Sequence, residues 1–327
     1  MENRNLKNFK FGNCTDIGKV RSQNEDYMGY FDNQNGDFFV VCDGMGGHAG
    51  GAVAAQKAVE TIREFFQNQY YSQPEEAIYQ ALQYANQQIY LQAQENIALR
   101  GMGTTCVLMM LRDGLIYYGH VGDSRLYLRT EYGIKRLTKD HSFVQALIEQ
   151  GLITEEEAEN HPRKNELLRA LGTQSFVDVS VSESPLKAVK HEQYLLCTDG
   201  LTSLVSDQGI DEVLNKNLTV QEKALRLVDL ANTLGGYDNT TVQLIQFTDG
   251  GQEIIMESGK STQIDSQGSS NNFNPPNQAY TGGSAQYIEP ISESRYDDDY
   301  DRVQKSIVMS SQVSDGDYRP FLLRTFV

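Results

Sequence analysis

No window of this chain reaches the roughly 18 consecutive apolar residues that a membrane-spanning helix needs, so no span is expected. The opening MENRNLKNFKFGN likewise lacks the apolar stretch of a secretory signal. Cysteine is sparse: Cys14, Cys42, Cys106 and Cys197 show no C-x-x-C spacing and read as reduced, mostly buried thiols, in keeping with a cytoplasmic location. Neither Cys42 nor Cys197 begins a C-x5-R loop, so no cysteine nucleophile is implied. Basic residues are too few for a nucleic-acid face, which needs clustered Lys and Arg: there are 28 against 44 acidic residues, a net charge of −16. The glycines do not form G-x-x-x-x-G-K-[ST], which removes the P-loop. Acidic or metal-dependent chemistry stays open, because a bound cation offsets local negative charge.

The 327 residues suffice for one large domain or two small ones. Composition changes near Thr248. Beyond it come SGKSTQIDSQGSSNNFNPPNQAYTGGSAQ and RYDDDYDR, with too few aliphatic residues to close a core. Residues 1–247 are therefore expected to form the folded domain, and residues 248–327 a mostly disordered, low-complexity tail. The final YRPFLLRTFV is apolar enough to dock on its own domain or a partner.

Within the domain, DFFVVCD, GTTCVLMML, LIYYGHVGDS, RLYLRT, QYLLCTD and TTVQLIQF read as strands. Residues 49–70 and 74–97 read as long helices with an apolar stripe, and 206–215 and 219–234 as two more. Helices after strands suggest a doubly wound sheet. Yet the strands between Cys106 and Arg129 follow one another through short loops, and Arg112-Asp113-Gly114 suits a hairpin turn. Clustered hairpins with paired helices fit an α+β sandwich better.

The acids carry the chemistry. Asp43 ends FFVVC and meets Gly44; Asp199 ends YLLCT and meets Gly200; Asp123 follows YYGHVG; Asp238 and Asn239 precede TTVQLIQF. Glu25 and Asp26 lie near the N-terminus, Asp26 seventeen residues before Asp43. That interval holds a strand, a turn and a return strand, which would bring both acids to one sheet edge. Carboxylates gathered there repel one another and take up protons unless a divalent metal offsets the charge. Gly44 is expected to turn the chain sharply and offer its carbonyl as a ligand. The helix beginning near Gly50 would then aim its N-terminus at the site. Residues Gly44 to Ala49 also fit the dinucleotide pattern G-x-G-x-x-A, but Asp43 would stand where pyrophosphate must come. Arg21, five residues before Asp26, is an ordinary salt-bridge partner on one reading. Beside a metal site it is a clamp for a phosphoryl oxygen.

TDIGKVRSQNED, VVCDGMGGHAGG, GHVGDSRLYL, LTKDHS, CTDGL and GGYDNTTV together resemble, in order and spacing, the metal-dependent protein serine/threonine phosphatases of the PPM, or PP2C, type in their bacterial form. LIEQGLITEEEAENHPRKNELLRALG is similar to the flap of bacterial members. The resemblance implies an α-β-β-α sandwich of two antiparallel sheets, each flanked by a helix pair. It implies two Mn²⁺ or Mg²⁺ ions bridged by a water or hydroxide, with a third, weaker site. Asp43 would bridge both ions and Gly44 hold one through its carbonyl; Asp199 and Asp238 would hold the other. Glu25 and Asp26 would contribute through water, Asp123 would anchor the third ion, and Arg21 would bind the phosphate. Animal members carry a His directly after the DG pair, where this chain has Met45; His48 is a candidate for that proton transfer. His120 is expected in the core, His141 as a structural or flap anchor, and His161 and His191 at the surface or in the flap. Asp140 is expected to be an N-cap or loop acid, and Asn239 to position the Asp238 loop. The implied activity is hydrolysis of phosphoserine and phosphothreonine in proteins, opposing a Ser/Thr kinase, by a monomer. A catalytically dead scaffold and a phosphatase of small molecules are the competing functions.

Overall fold

The computed structural model describes residues 8–46 and 50–248. His48 and the expected tail beyond Thr248 lie outside the described residues.

Two antiparallel sheets form the centre. The first has the order β1 (Phe9–Asp16), β13 (Thr240–Phe247), β12 (Gln193–Cys197), β8 (Arg125–Thr130), β9 (Gly133–Arg136). The second runs β10 (Ser180–Val181), β7 (Leu115–Val121), β6 (Cys106–Arg112), β3 (Gly36–Cys42), β2 (Tyr27–Asn33), with β11 (Leu186–Lys187) also on β7. A two-residue pair, β4 (Gly44–Met45) with β5 (Gly103–Thr104), stands apart.

Each central strand is buried on both faces, which explains its unbroken apolar run. In β3, Phe38, Val40 and Cys42 face the helices α1 (Gly50–Gln67) and α2 (Pro74–Glu95), while Phe39 and Val41 face the other sheet. In β13, Val242 and Leu244 face α6 (Asp207–Leu214) and α7 (Val220–Thr233), while Ile245 and Phe247 face inward. Period-two side-chain alternation thus feeds three apolar layers from two sheets. The result is the expected α-β-β-α sandwich.

Local chemistry sets the element ends. Pro74 opens α2 at its first turn, where its missing N–H costs nothing. Ser206 and Thr219 cap α6 and α7, and Thr219 with Glu222 completes a reciprocal capping box. The β6–β7 hairpin turns at Asp113 and Gly114, both at positive φ, the geometry a tight two-residue turn requires. Three further helices fill the connections: α3 (Phe143–Glu149), α4 (Glu155–Glu159) and α5 (Asp199–Thr202).

The register brings the acids to one end of both sheets. Tyr27 pairs with Cys42, so Asp26 and Asp43 flank the open end of the β2–β3 hairpin. Cys106 pairs with Val121, which leaves Asp123 just beyond β7 at that same end. In the other sheet Cys197 pairs with Val242, so Asp199 and Asp238 flank the β12–β13 pair.

Phe39 is fully buried between the sheets, its ring edge-on to Phe9 at 5.5 Å. Phe39→Ala should cost about 3–5 kcal/mol of stability, the usual cost of a cavity left by a core ring. Urea unfolding measures it, and a loss below about 1 kcal/mol would contradict this packing.

Candidate active site

Asp43 is held by its backbone. Its N–H donates to Thr105 Oγ1 at 3.0 Å, and its carbonyl accepts from Thr105 N at 2.8 Å and from Thr104 Oγ1 at 2.9 Å. The Thr105 hydroxyl also meets Ser124 Oγ at 2.6 Å, which ties Asp43 to the residue after Asp123.

Gly44 does not form the expected sharp turn. It lies in the short strand β4, paired with Thr104, and the positive φ falls two residues later at Gly46. Its lack of a side chain answers to crowding: a Cβ there would meet the Gly51 carbonyl oxygen at 2.2 Å and the Glu25 carbonyl oxygen at 2.5 Å. Gly51 in the first turn of α1 packs back on the Gly44 carbonyl and the Glu25 carboxyl group. The start of α1 therefore lies against the site, as expected.

The N-terminal loop is fixed from the opposite sheet. Asn239 donates from Nδ2 to the carbonyls of Ile17 (2.9 Å) and Gln23 (3.1 Å), and its Oδ1 accepts from Glu25 N at 2.8 Å. Asp16 Oδ1 accepts from Gly18 N and from Asn232 Nδ2 in α7. Arg21, projecting from this loop, donates to Asp238 Oδ2 at 2.6 Å, so its guanidinium lies at the acidic cluster.

Asp26 is buried and accepts from Thr198 Oγ1 at 2.9 Å. Asp43, Asp123 and Asp199 keep an edge open to the surface but are otherwise enclosed by protein. Burial raises the pKa of all four. For Asp26 it reaches about 7, raised further by Asp199 and Asp238 and opposed by the hydroxyls of Thr241 and Thr198. Asp43 is pushed well above the carboxylate range by burial and then by Asp26, Asp199 and Asp123. Asp123 is raised by burial, Asp199 and Asp140, against Arg125. Asp199 is raised by burial and by Asp238; a hydrogen bond shared with Asp43 works the other way.

Among the described residues, the candidate ligand atoms that Asp26, Asp43, Asp123, Asp199 and Asp238 bring to this end are oxygens. Asp26 Oδ1 and Asp199 Oδ1 are buried without a hydrogen-bond partner among the described residues. Buried carboxylate oxygens with no donor suit a hard divalent cation. Among the described residues, no three His, Cys, Asp or Glu side chains already converge as a ready metal cage.

His120 is buried, as expected, and its ring stacks on His141 with centroids 4.5 Å apart. His141 anchors the Asp123 loop: its N–H donates to the Gly122 carbonyl, and its Nδ1 accepts from Gly122 N. Burial, then His120 and Arg169, lower the pKa of His141 to about 2, so the ring is neutral. The His141 carbonyl also accepts from Leu168 N, which joins it to the flap. His161 is buried against Phe143 within the flap, while His191 is exposed. Asp140 is a loop acid: Ser142 caps α3, and Asp140 pairs with Arg125 at 2.7 Å and Arg136 at 3.5 Å.

Comparison with known proteins decides the family. The protein phosphatase 2C model matches residues 19–235. The serine/threonine phosphatase stp of Listeria monocytogenes is 39% identical over 237 residues, 71% of this chain and 93% of that protein. The chain belongs to the protein phosphatase 2C family. It is thus an enzyme, a protein serine/threonine phosphatase. Among solved structures, the phosphatase Stp1 of Staphylococcus aureus superposes with a TM-score of 0.70 at 34% identity, covering 76% of this chain and 99% of that one. The catalytic domain of the phosphatase PstP, solved with two manganese ions, gives 0.64 at 33% identity, covering 74% and 99%.

The residues that pattern alone did not single out in this phosphatase are Thr105, Ser124 and Thr198. Thr105 acts on the Asp43 backbone, Ser124 on the Thr105 hydroxyl and Thr198 on the Asp26 carboxyl; Ser124 and Thr198 adjoin Asp123 and Asp199 in sequence, while Thr105 carries no such signal.

The raised carboxyls also set a pH dependence for the metal-free phosphatase. They bind protons more tightly folded than unfolded, so their contribution is full below about pH 4, the unfolded value. It is lost as pH rises through the folded values, about 7 for Asp26. In chelator, urea resistance should therefore decline from about pH 4 toward pH 8 more steeply in the wild type than in Asp26→Asn. Parallel pH profiles for the two proteins would refute this electrostatic picture.

Proposed function

We propose that this phosphatase hydrolyses phosphoserine and phosphothreonine in proteins with the help of two Mn²⁺ or Mg²⁺ ions, and that it opposes a Ser/Thr kinase in the cytoplasm. The observation that carries the reading is the all-oxygen acidic end, where Asp26 Oδ1 and Asp199 Oδ1 are buried with no donor among the described residues. Its fit to hard divalent cations agrees with the manganese in the related PstP structure. The buried, unpaired thiols of Cys42, Cys106 and Cys197 favour a reducing compartment.

In this reading Asp43, the Gly44 carbonyl, Asp199 and Asp238 would hold the two core ions. Glu25 and Asp26 would support them, and Asp123 would hold a third. When bound, the ions supply positive charge at the phosphoryl oxygens and make a water acidic enough to act as a nucleophile. The chain's own residues orient the group. Arg21 presents a planar donor fork at the mouth of the site, suited to two phosphoryl oxygens once it exchanges Asp238 for substrate. The Thr105–Ser124 hydroxyl pair holds the Asp43 backbone in one position, and Asn239 does the same for the loop bearing Glu25. His48, three residues past Met45, is the candidate for proton transfer to the leaving oxygen.

Release of phosphate from a phosphothreonine peptide, with and without Mn²⁺, tests the reading. Activity should depend on the added ion, and Asp43→Asn should lower kcat by at least about a thousandfold, since it removes a carboxylate that would hold the ions stabilising the transition-state charge. A variant with a near wild-type rate at saturating Mn²⁺ would sink the assignment.

We also propose that residues 1–247 make up the whole catalytic unit, with the remainder a tail. Strand β13 ends at Phe247, and Thr248 N closes on the Asn8 carbonyl at 2.8 Å. A chain ending at residue 250 should keep kcat/KM on a short phosphopeptide within about twofold, because the tail's composition cannot bury enough apolar area to form part of the site. A large loss would place catalytic residues in the tail.

A further inference from the structure

Four large apolar side chains are exposed on the two loops beside Arg21 and Asp238. Ile17 is 37% exposed and Val20 64%, on the N-terminal loop; Leu234 is 49% and Tyr237 64%, on the loop before β13. Single exposed apolar residues need no explanation, but a group at the rim of a site does.

The two loops form one surface. Lys19 N donates to the Gly236 carbonyl at 2.7 Å, and Asn239 Nδ2 holds the Ile17 carbonyl. A Cβ on Gly236 would meet the Lys19 side chain at 3.2 Å, so the lysine stem lies over that glycine. A Cβ on Gly18 would strike the carbonyls of Asp238 and Gly236 at 2.5 and 2.7 Å. The loops are in backbone contact, with no room to slide.

Tyr237 is held in place despite its exposure. A Cβ on Gly235 would meet the ring at 2.7 Å, so the ring occupies the space that a side chain at 235 would take. Gly235, at φ +144°, tolerates this where other residues would be strained. The ring thus lies against the Gly235 backbone with its remaining surface open to solvent, and an aromatic side chain, with only two χ angles, binds with little loss of entropy. Lys19 and Arg21, both exposed, add positive charge to the same loop.

We propose that Ile17, Val20, Leu234 and Tyr237 form a docking platform for the protein segment that carries the phosphorylated residue, receiving an apolar side chain next to it. The proposal rests on the phosphatase reading above. Cations for the phosphoryl group and an apolar surface for its neighbour lie on one rigid pair of loops, next to the acidic end that would do the chemistry. A chain threaded over the site has to cross this rim. A segment with polar neighbours gains only the charge; one with leucine or phenylalanine also buries apolar area against Tyr237 and Val20.

Two phosphothreonine peptides decide it, identical except for leucine or serine on both sides of the phosphothreonine, assayed with the full-length enzyme and Mn²⁺. The wild type should favour the leucine peptide in kcat/KM by about five- to tenfold, the discrimination expected from partial burial of one or two apolar side chains. Most of the difference should lie in KM. Tyr237→Ala and Val20→Ser should each bring the ratio below about twofold, while Tyr237→Phe, which keeps the ring, should preserve it. A ratio is insensitive to a general loss of fold or metal, which slows both peptides alike. Turnover of both peptides at equal rates by the wild type, or an unchanged ratio in Tyr237→Ala, overturns the proposal and leaves the phosphatase reading standing. Equal acceleration of both peptides in Tyr237→Ala overturns it as well, because the platform would then be covered by another segment, such as the chain's own YRPFLLRTFV. Absence of Mn²⁺-dependent turnover of either peptide overturns both.

Discussion

Carboxylates forced together at one end of a sandwich are the constraint on which the rest of the structure depends. Burial raises the pKa of Asp26, Asp43, Asp123 and Asp199, and acidic neighbours raise each further, Asp199 acting on the other three and Asp238 on Asp199. Left to themselves, loops bearing such groups would spread apart. The fold prevents this by fixing backbones instead of neutralising side chains. Asp43 is tied through both its N–H and its carbonyl to Thr104 and Thr105, and the Asp123 loop through Gly122 to His141. Asn239 bridges the N-terminal loop to the opposite sheet. The rigid parts are neutral hydrogen bonds, and the charged oxygens are left with few internal partners. That is the arrangement a cation site needs, because strong internal partners would compete with the ion.

The layered packing explains why so much was legible. A sheet covered by helices on one face and by another sheet on the other produces apolar runs such as FFVVC and VQLIQF, which mark central strands. Helix ends carry their own local signals in Pro74, Ser206 and Thr219, so four helices were placed to within about three residues. The β2–β3 hairpin followed from the interval between Asp26 and Asp43. The place of each acid at a strand end was therefore readable from runs and intervals, while the choice of a sandwich over a doubly wound sheet rested on the hairpins and on the family resemblance.

What was not legible depends on contacts between distant parts of the chain. β1 and β9 have mixed burial patterns and become strands only through partners, β1 by pairing with β13 over its whole length. Gly44 was read as a turn because glycine is so often one. Its reason is the approach of Gly51, a crowding invisible in sequence. Arg21 was read as a phosphate clamp or a salt-bridge partner; the spatial partner, Asp238, lies 217 residues away. His161 is conspicuous only as a polar residue in a polar stretch, yet it is buried against Phe143.

The Gly235-Gly236 pair, just before Tyr237 and Asp238, shows how one local sequence serves two demands. Gly235 lets the Tyr237 ring lie against the backbone, and Gly236 lets Lys19 cross over it while its carbonyl accepts from Lys19 N. A side chain at 236 would crowd Lys19 and Asn232, whereas one at 235 would meet the Tyr237 ring. The rim and the acidic end thus share one backbone contact, Lys19 N on the Gly236 carbonyl, between the loop that carries Arg21 and the loop that carries Asp238. A substrate segment lying on Tyr237 and Val20 would rest on these two loops, so the contact that fixes the rim is also the one that sets Arg21 beside Asp238.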